Sequence, residues 1–134
     1  MHLADTNIVS ELMRQRPDAG VQQWVLGLER VAAQVVISAM SVDEIIFGLE
    51  RKPHMAKMLW FESFLRNSTV LPVTESIAQR AGEMRAQLAT RGQVRSQADM
   101  LIAATAQVHA LTLVTRNVRD FDGCGIAVLN PFDA

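Results

Sequence analysis

The chain has 134 residues, 49% of them hydrophobic and 20% charged, which suits one domain around one core and excludes an intrinsically disordered chain. Its net charge of -1 excludes nucleic-acid binding by bulk positive charge, so any such contact must be local. No apolar run approaches a membrane span, and the single cysteine, Cys124, cannot form an internal disulfide.

The first residues carry no basic and apolar leader pattern, so a cytoplasmic protein is expected. Of the 13 basic residues 11 are arginine; the lysines are Lys52 and Lys57. Arginine suits bidentate contacts to phosphate or carboxylate, although a codon bias explains the same count.

Leu3-Ala4-Asp5-Thr6-Asn7-Ile8-Val9-Ser10 reads as a short buried strand that stops at a carboxylate, with a helix beginning at once. That helix is expected over 6–13 and ends before Pro17. Asp18 caps a second helix, with Val21, Trp24, Val25 and Leu28 on one face. Val35-Val36-Ile37-Ser38 is a β-branched run suited to a buried strand.

Ser41 and Glu44 have the spacing of a capping box, with Val42, Ile45, Ile46 and Leu49 as the core face of the helix that follows. A further helix over 54–66 carries Met58, Leu59, Phe61, Phe64 and Leu65, an apolar surface wide enough to suggest a partner. Thr69-Val70-Leu71-Pro72-Val73 is a third strand, and Pro72 places it at an edge. An amphipathic helix over 75–91 holds Ile77, Ala81, Met84 and Leu88 in register and stops at Gly92. The stretch 98–110 is nearly all apolar and predicts a central helix. Thr112-Leu113-Val114-Thr115 and Ile126-Ala127-Val128-Leu129 are the fourth and fifth strands.

Strands alternating with helices predict an α/β fold with a parallel sheet, which binds ligands beyond the carboxyl ends of its strands. Topology then sorts the acids. Asp5 ends strand one. Glu44 and Asp99 lie in first turns of helices that begin at the same rim. Asp120 follows strand four. Taken singly, each acid has a structural explanation as a cap, a helix-dipole partner or a turn residue. Together they would repel in a partly buried cleft unless one took up a proton or a divalent cation joined them. Oxygen-only donors suit Mg²⁺ or Mn²⁺. Asn7, Ser10, Thr115 and Asn117 are placed to orient these acids, and Gly48 offers a close approach one turn after Glu44. Arg95, Arg116 and Arg119 are candidates for phosphate contacts.

Asp5-Thr6-Asn7 after a short strand, Ser41 through Glu44 to Gly48, Asp99 before Leu101-Ile102-Ala103-Ala104-Thr105-Ala106, and Thr115-Arg116-Asn117 through Asp120-Phe121 together resemble a PIN domain. More narrowly, the ordered set resembles the VapC/FitB-like toxins of type II toxin–antitoxin modules, along the full 1–134 span. The resemblance implies a three-layer α/β/α fold with a central parallel sheet of four to five strands. It implies an endoribonuclease dependent on Mg²⁺ or Mn²⁺, a homodimer, and a VapB/FitA-like antitoxin as partner. Asp5, Glu44 and Asp99 take the positions of the core acids. Many PIN domains have aspartate where this chain has Asn117; in the toxin subgroup Asp120 can serve instead. The implied mechanism is metal-assisted attack of water on an RNA phosphodiester, with Glu44 or Asp120 helping to remove a proton.

Other activities fit less well. A receiver domain needs a lysine near the last strands, and a haloacid-dehalogenase phosphatase needs a second aspartate where Asn7 stands. The remaining alternative is a PIN-like module that binds RNA or a partner without cleavage.

Overall fold

The computed structural model describes residues 1–132; the last two positions of the 1–134 span lie outside the described part. Five short strands form one parallel sheet in the order β3-β2-β1-β4-β5. They are β1 His2–Ala4, β2 Val36–Ser38, β3 Thr69–Leu71, β4 Thr112–Val114 and β5 Val128–Leu129. Helices α1 Thr6–Leu12 and α2 Ala19–Arg30 connect β1 to β2. Helices α3 Ala39–Arg51 and α4 Met55–Arg66 connect β2 to β3, and α5 Glu75–Thr90 and α6 Gln97–Val108 connect β3 to β4. A 3₁₀ turn, Val118–Phe121, lies between β4 and β5.

Strand residues alternate between the two faces, and the core divides accordingly. Leu3 and Leu113 point into the layer with α5 and α6, among Ile77, Met84, Met100 and Ile102. Their neighbours Ala4 and Val114 point the other way, among Ile8, Val21, Ile45 and Phe61. Three layers result, as expected. Burying a large side chain such as Phe61 or Ile102 contributes roughly 1.5–3 kcal/mol, which keeps the short strands in place.

Several expectations need correction. The cap of α3 is Ser38, whose side chain accepts from Met40 N–H at 3.0 Å, so Ser41 is no N-cap and Glu44 lies in the second turn. The backbone at Ser38 already leaves the extended strand for the helix, leaving no loop for a later cap. Ile46, expected in the core, is exposed; Ile45 and Leu49 are buried. The apolar side chains of α4 mostly face inward: Phe61 is buried and Met58, Phe64 and Leu65 pack beside the core, while Leu59 stays exposed.

Other expectations agree closely. Asp18 caps α2 by accepting from Gly20 and Val21 N–H. β3 is at the sheet edge, just before Pro72. Gly92 ends α5 in the left-handed conformation at φ 76°, a region that favours glycine. Buried Glu11, unremarked in the sequence, accepts from Asp18 N–H at 2.8 Å and pairs with Arg14, fixing the turn from α1 to α2. Among the described residues no helix is long and apolar enough to cross a membrane.

Candidate active site

Strand order reverses between β1 and β4, because the chain builds β2 and β3 on one side of β1 and β4 and β5 on the other. A parallel sheet leaves a crevice at such a point, beyond the strands' carboxyl ends. Asp5 follows β1 there and Thr115 follows β4. The backbone joins them, with Asp5 N–H donating to Val114 C=O at 2.8 Å.

Asp5 is buried and held by three side-chain or backbone donors. Its Oδ1 accepts from Thr6 N–H at 2.8 Å, which also caps α1. Its Oδ2 accepts from the Thr115 hydroxyl at 2.8 Å and from Asn7 Nδ2 at 3.1 Å. The other side of this support is fixed in turn: Thr115 Oγ1 accepts from Asn117 N–H, and Asn7 Oδ1 accepts from Arg116 N–H. Asn7 and Thr115 therefore stand where the sequence suggested. Asn117 contributes its backbone N–H. Ser10 is exposed on the far part of α1 and lines a cleft with Glu44.

Glu44 is half-buried on α3, its Oε1 accepting from the Thr6 hydroxyl at 2.6 Å. Thr6 Oγ1 also lies 2.8 Å from Ser41 Oγ, which is fully buried. Thr6 thus ties the Asp5 segment to the Glu44 helix. Sequence reasoning missed this role, although Thr6 stands within the Asp5-Thr6-Asn7 group itself. Asp99 is half-buried in the first turn of α6, below the Ser96 cap. Asp120 is exposed on the 3₁₀ turn.

The electrostatics join these groups. Burial above all pushes the Asp5 carboxyl up to about 6, against the hydrogen bonds from Thr115 and Thr6; the charges of Asp99 and Glu44 raise it further. Burial likewise raises Asp99, opposed by Ser96, with Asp120 and Glu44 adding to the rise and Arg95 opposing it. Asp5, Glu44 and Asp99 thus lie within mutual electrostatic reach, and Asp120 joins through Asp99.

Among the described residues no three His, Cys, Asp or Glu side chains close on a point as a ready-made metal cage does. The donor set nevertheless fits a hard divalent cation. It is all oxygen, and Mg²⁺ is commonly held by one or two carboxylates with water and substrate phosphate completing the shell. A carboxyl raised by burial, and further by acidic neighbours, is the kind of group whose charge a cation would relieve.

The three arginine candidates differ. Arg95 turns toward the carbonyls of Arg119 and Asp122, both at 3.4 Å, and braces the loop. Arg116 lies over the Phe132 ring at 4.7 Å, and Arg119 is exposed beside Asp120. Gly48 lines the Glu44 cleft, and a Cβ there would meet nothing within 4 Å, so the absent side chain leaves the cleft open.

A rim of carboxylates at the crossover of a short parallel sheet, between two helical layers, is the arrangement expected of a PIN domain. The PIN domain family model matches residues 3–123, and the chain belongs to that family. The chain is 31% identical to the VapC ribonuclease Y4jK of Sinorhizobium fredii, over 99% of both proteins. It superposes on the crystal structure of FitAcB from Neisseria gonorrhoeae with a TM-score of 0.84 and 34% identity, over 98% of each chain. A toxin–antitoxin complex from Klebsiella pneumoniae matches with a TM-score of 0.76 and 27% identity, over all of both chains.

Proposed function

We propose that this protein is an endoribonuclease acting as the toxin of a type II toxin–antitoxin module, with Mg²⁺ or Mn²⁺ held by Asp5, Glu44, Asp99 and Asp120. One observation carries the proposal: acids from three separate segments meet at one sheet rim, where the charges of Asp99 and Glu44 bear on the buried Asp5 and the charge of Glu44 bears on Asp99. The similarity to the VapC ribonuclease of Sinorhizobium and to the toxin–antitoxin complex from Klebsiella supports the substrate class and the partner, a VapB/FitA-like antitoxin.

When bound, the divalent cation neutralises charge on the phosphate and acidifies water. The chain's own residues do the rest. Asp5 offers a carboxylate whose orientation is fixed from three sides by Thr6, Asn7 and Thr115. Thr6 holds Glu44 toward Asp5 by donating to its Oε1. Asp99 supplies a third carboxylate from the start of α6. Asp120, the most solvent-exposed of the four, or Glu44 accepts the proton of the attacking water. A bond forms from the water oxygen to phosphorus as the bond from phosphorus to the 3′ oxygen breaks, and the departing 3′ oxygen takes a proton from solvent, leaving a 3′-hydroxyl and a 5′-phosphate.

The chain acts as a homodimer in this proposal. Phe47 on α3 and Met55 and Leu59 on α4 remain exposed and are available to a second copy. Light scattering at micromolar concentration is expected to give twice the monomer mass; a monomer counts against the dimer.

The decisive experiment incubates the purified chain with labelled RNA in Mg²⁺, in Mn²⁺ and with EDTA. Cleavage is expected with either metal and its loss with EDTA. RNA binding without cleavage under all three conditions favours the non-catalytic module instead.

A further inference from the structure

The cleft that Glu44 lines is basic at its other end. A hollow of about 420 Å³ between α1, α3 and the start of α4 is lined at one end by Glu44 and Ser10 and at the other by Lys52, His54 and Lys57. Both lysines of the chain therefore face one cleft. Glu44, Gly48 and Lys52 follow at intervals of four along α3, so about 12 Å of helix separates acid from base. A second hollow of about 750 Å³ shares Met13, His54 and Lys57 with the first and adds Arg16. Among the described residues no ion pair involves Lys52, Lys57 or Arg16, whereas Arg14 at the same wall is paired with Glu11. His54 Nδ1 accepts from Lys57 N–H as the cap of α4, so the neutral ring carries its proton on Nε2, a donor suited to a phosphate oxygen.

We propose that RNA reaches the carboxylate rim along this cleft, with Lys52, His54, Lys57 and Arg16 holding the phosphates next to the one cleaved. The proposal rests on the nuclease function and assigns its substrate track. Local charge is what a chain of net charge -1 needs in order to hold a polyanion, and the open wall at Gly48 leaves room for its backbone. The sequence pointed to Arg95, Arg116 and Arg119 instead. Arg95 and Arg116 have other partners, and none of the three lines either hollow.

The test measures binding of a fluorescent single-stranded oligoribonucleotide in EDTA, across a series of salt concentrations, for the wild type and for K52Q/K57Q. Two lost phosphate contacts are expected to weaken binding about tenfold near 0.1 M salt and to reduce the slope of log K against log[salt] by about 1.4. A purely structural role would leave the slope unchanged; K52Q alone, at an exposed position, should give half the change in slope. R116Q/R119Q is expected to change the slope less. If the wild type cleaves RNA in Mg²⁺ while K52Q/K57Q keeps its affinity and slope, the track is overturned and the nuclease stands. Loss of antitoxin binding with an unchanged RNA slope also overturns it, assigning the cleft to a protein. A wild-type chain that neither binds nor cleaves RNA overturns both proposals.

Discussion

The acidic rim has two unlike halves. Asp5 and Glu44 are joined through Thr6, and Asp5 is further gripped by Thr115 and Asn7 in a buried network. Asp99 and Asp120 stand on a helix start and a solvent-facing turn, Asp99 with only Ser96 beside its carboxyl and Asp120 exposed. The first half is organised by folding itself. The second has freedom to adjust when a ligand arrives. Preorganised groups cost little to use, and so the tethered half should bear the greater part of the chemistry.

Substitution at the tethered centre tests this most severely. Asp5→Asn is expected to lower RNA cleavage on the order of 10³-fold in single-turnover assays, with circular dichroism unchanged. Full activity would sink the proposed mechanism. Next come the tethers: Thr6→Val frees Glu44, and Thr115→Val removes the donor to Asp5. Each is expected to cost roughly 10–100-fold in activity or in metal affinity, the latter read by titration calorimetry. Asp120→Asn, on the freer half, should cost about tenfold or less, below the effect assigned to a well-placed general base, which would leave Glu44 as the group that accepts the water's proton. If Asp120→Asn is as damaging as Asp5→Asn, the contrast between the halves fails.

A smaller effect lies in stability against pH without divalent cation. The folded Asp5 carboxyl titrates near 6 against 3.8 for the ordinary group, so the folded chain binds the proton more tightly than the unfolded one. This group's stabilisation is therefore complete below pH 4 and lost as pH rises through 6. The ceiling on that loss is about 3 kcal/mol. Urea denaturation in EDTA should show it between pH 4 and 7, and Asp5→Asn should flatten the curve. Added Mg²⁺ should restore stability at pH 7 in the wild type more than in the variant.

The contrast also explains what was legible in the sequence. Asp5, Glu44 and Asp99 could be placed at one rim because strand–helix alternation fixes which end of each element they occupy. The partition of the core, with Leu3 and Leu113 on one face and Ala4 and Val114 on the other, emerged only from the structure, because a three-residue strand is too short to show its alternation. Local capping was harder. Ser38 and Ser41 are both plausible caps, and only the path of the chain out of β2 decides between them. The 3₁₀ turn bearing Asp120 has no periodicity to reveal it. Thr6 looked ordinary because its partners, Ser41 and Glu44, lie 35 and 38 residues away. The basic cleft was missed for a similar reason: Lys52 and Lys57 frame it only once α1 packs against α3.

The sheet's inner strand comes first in the chain, and its partner on one side comes almost last. His2, Leu3 and Ala4 pair with Thr112, Leu113 and Val114, and the bond from Thr115 to Asp5 spans 110 residues. A nascent chain still short of β4 therefore lacks both the neighbour of β1 and the residue that aims Asp5. Closing the catalytic rim thus waits on distant parts of the sequence meeting, and a fragment ending at residue 111 is expected to cleave no RNA.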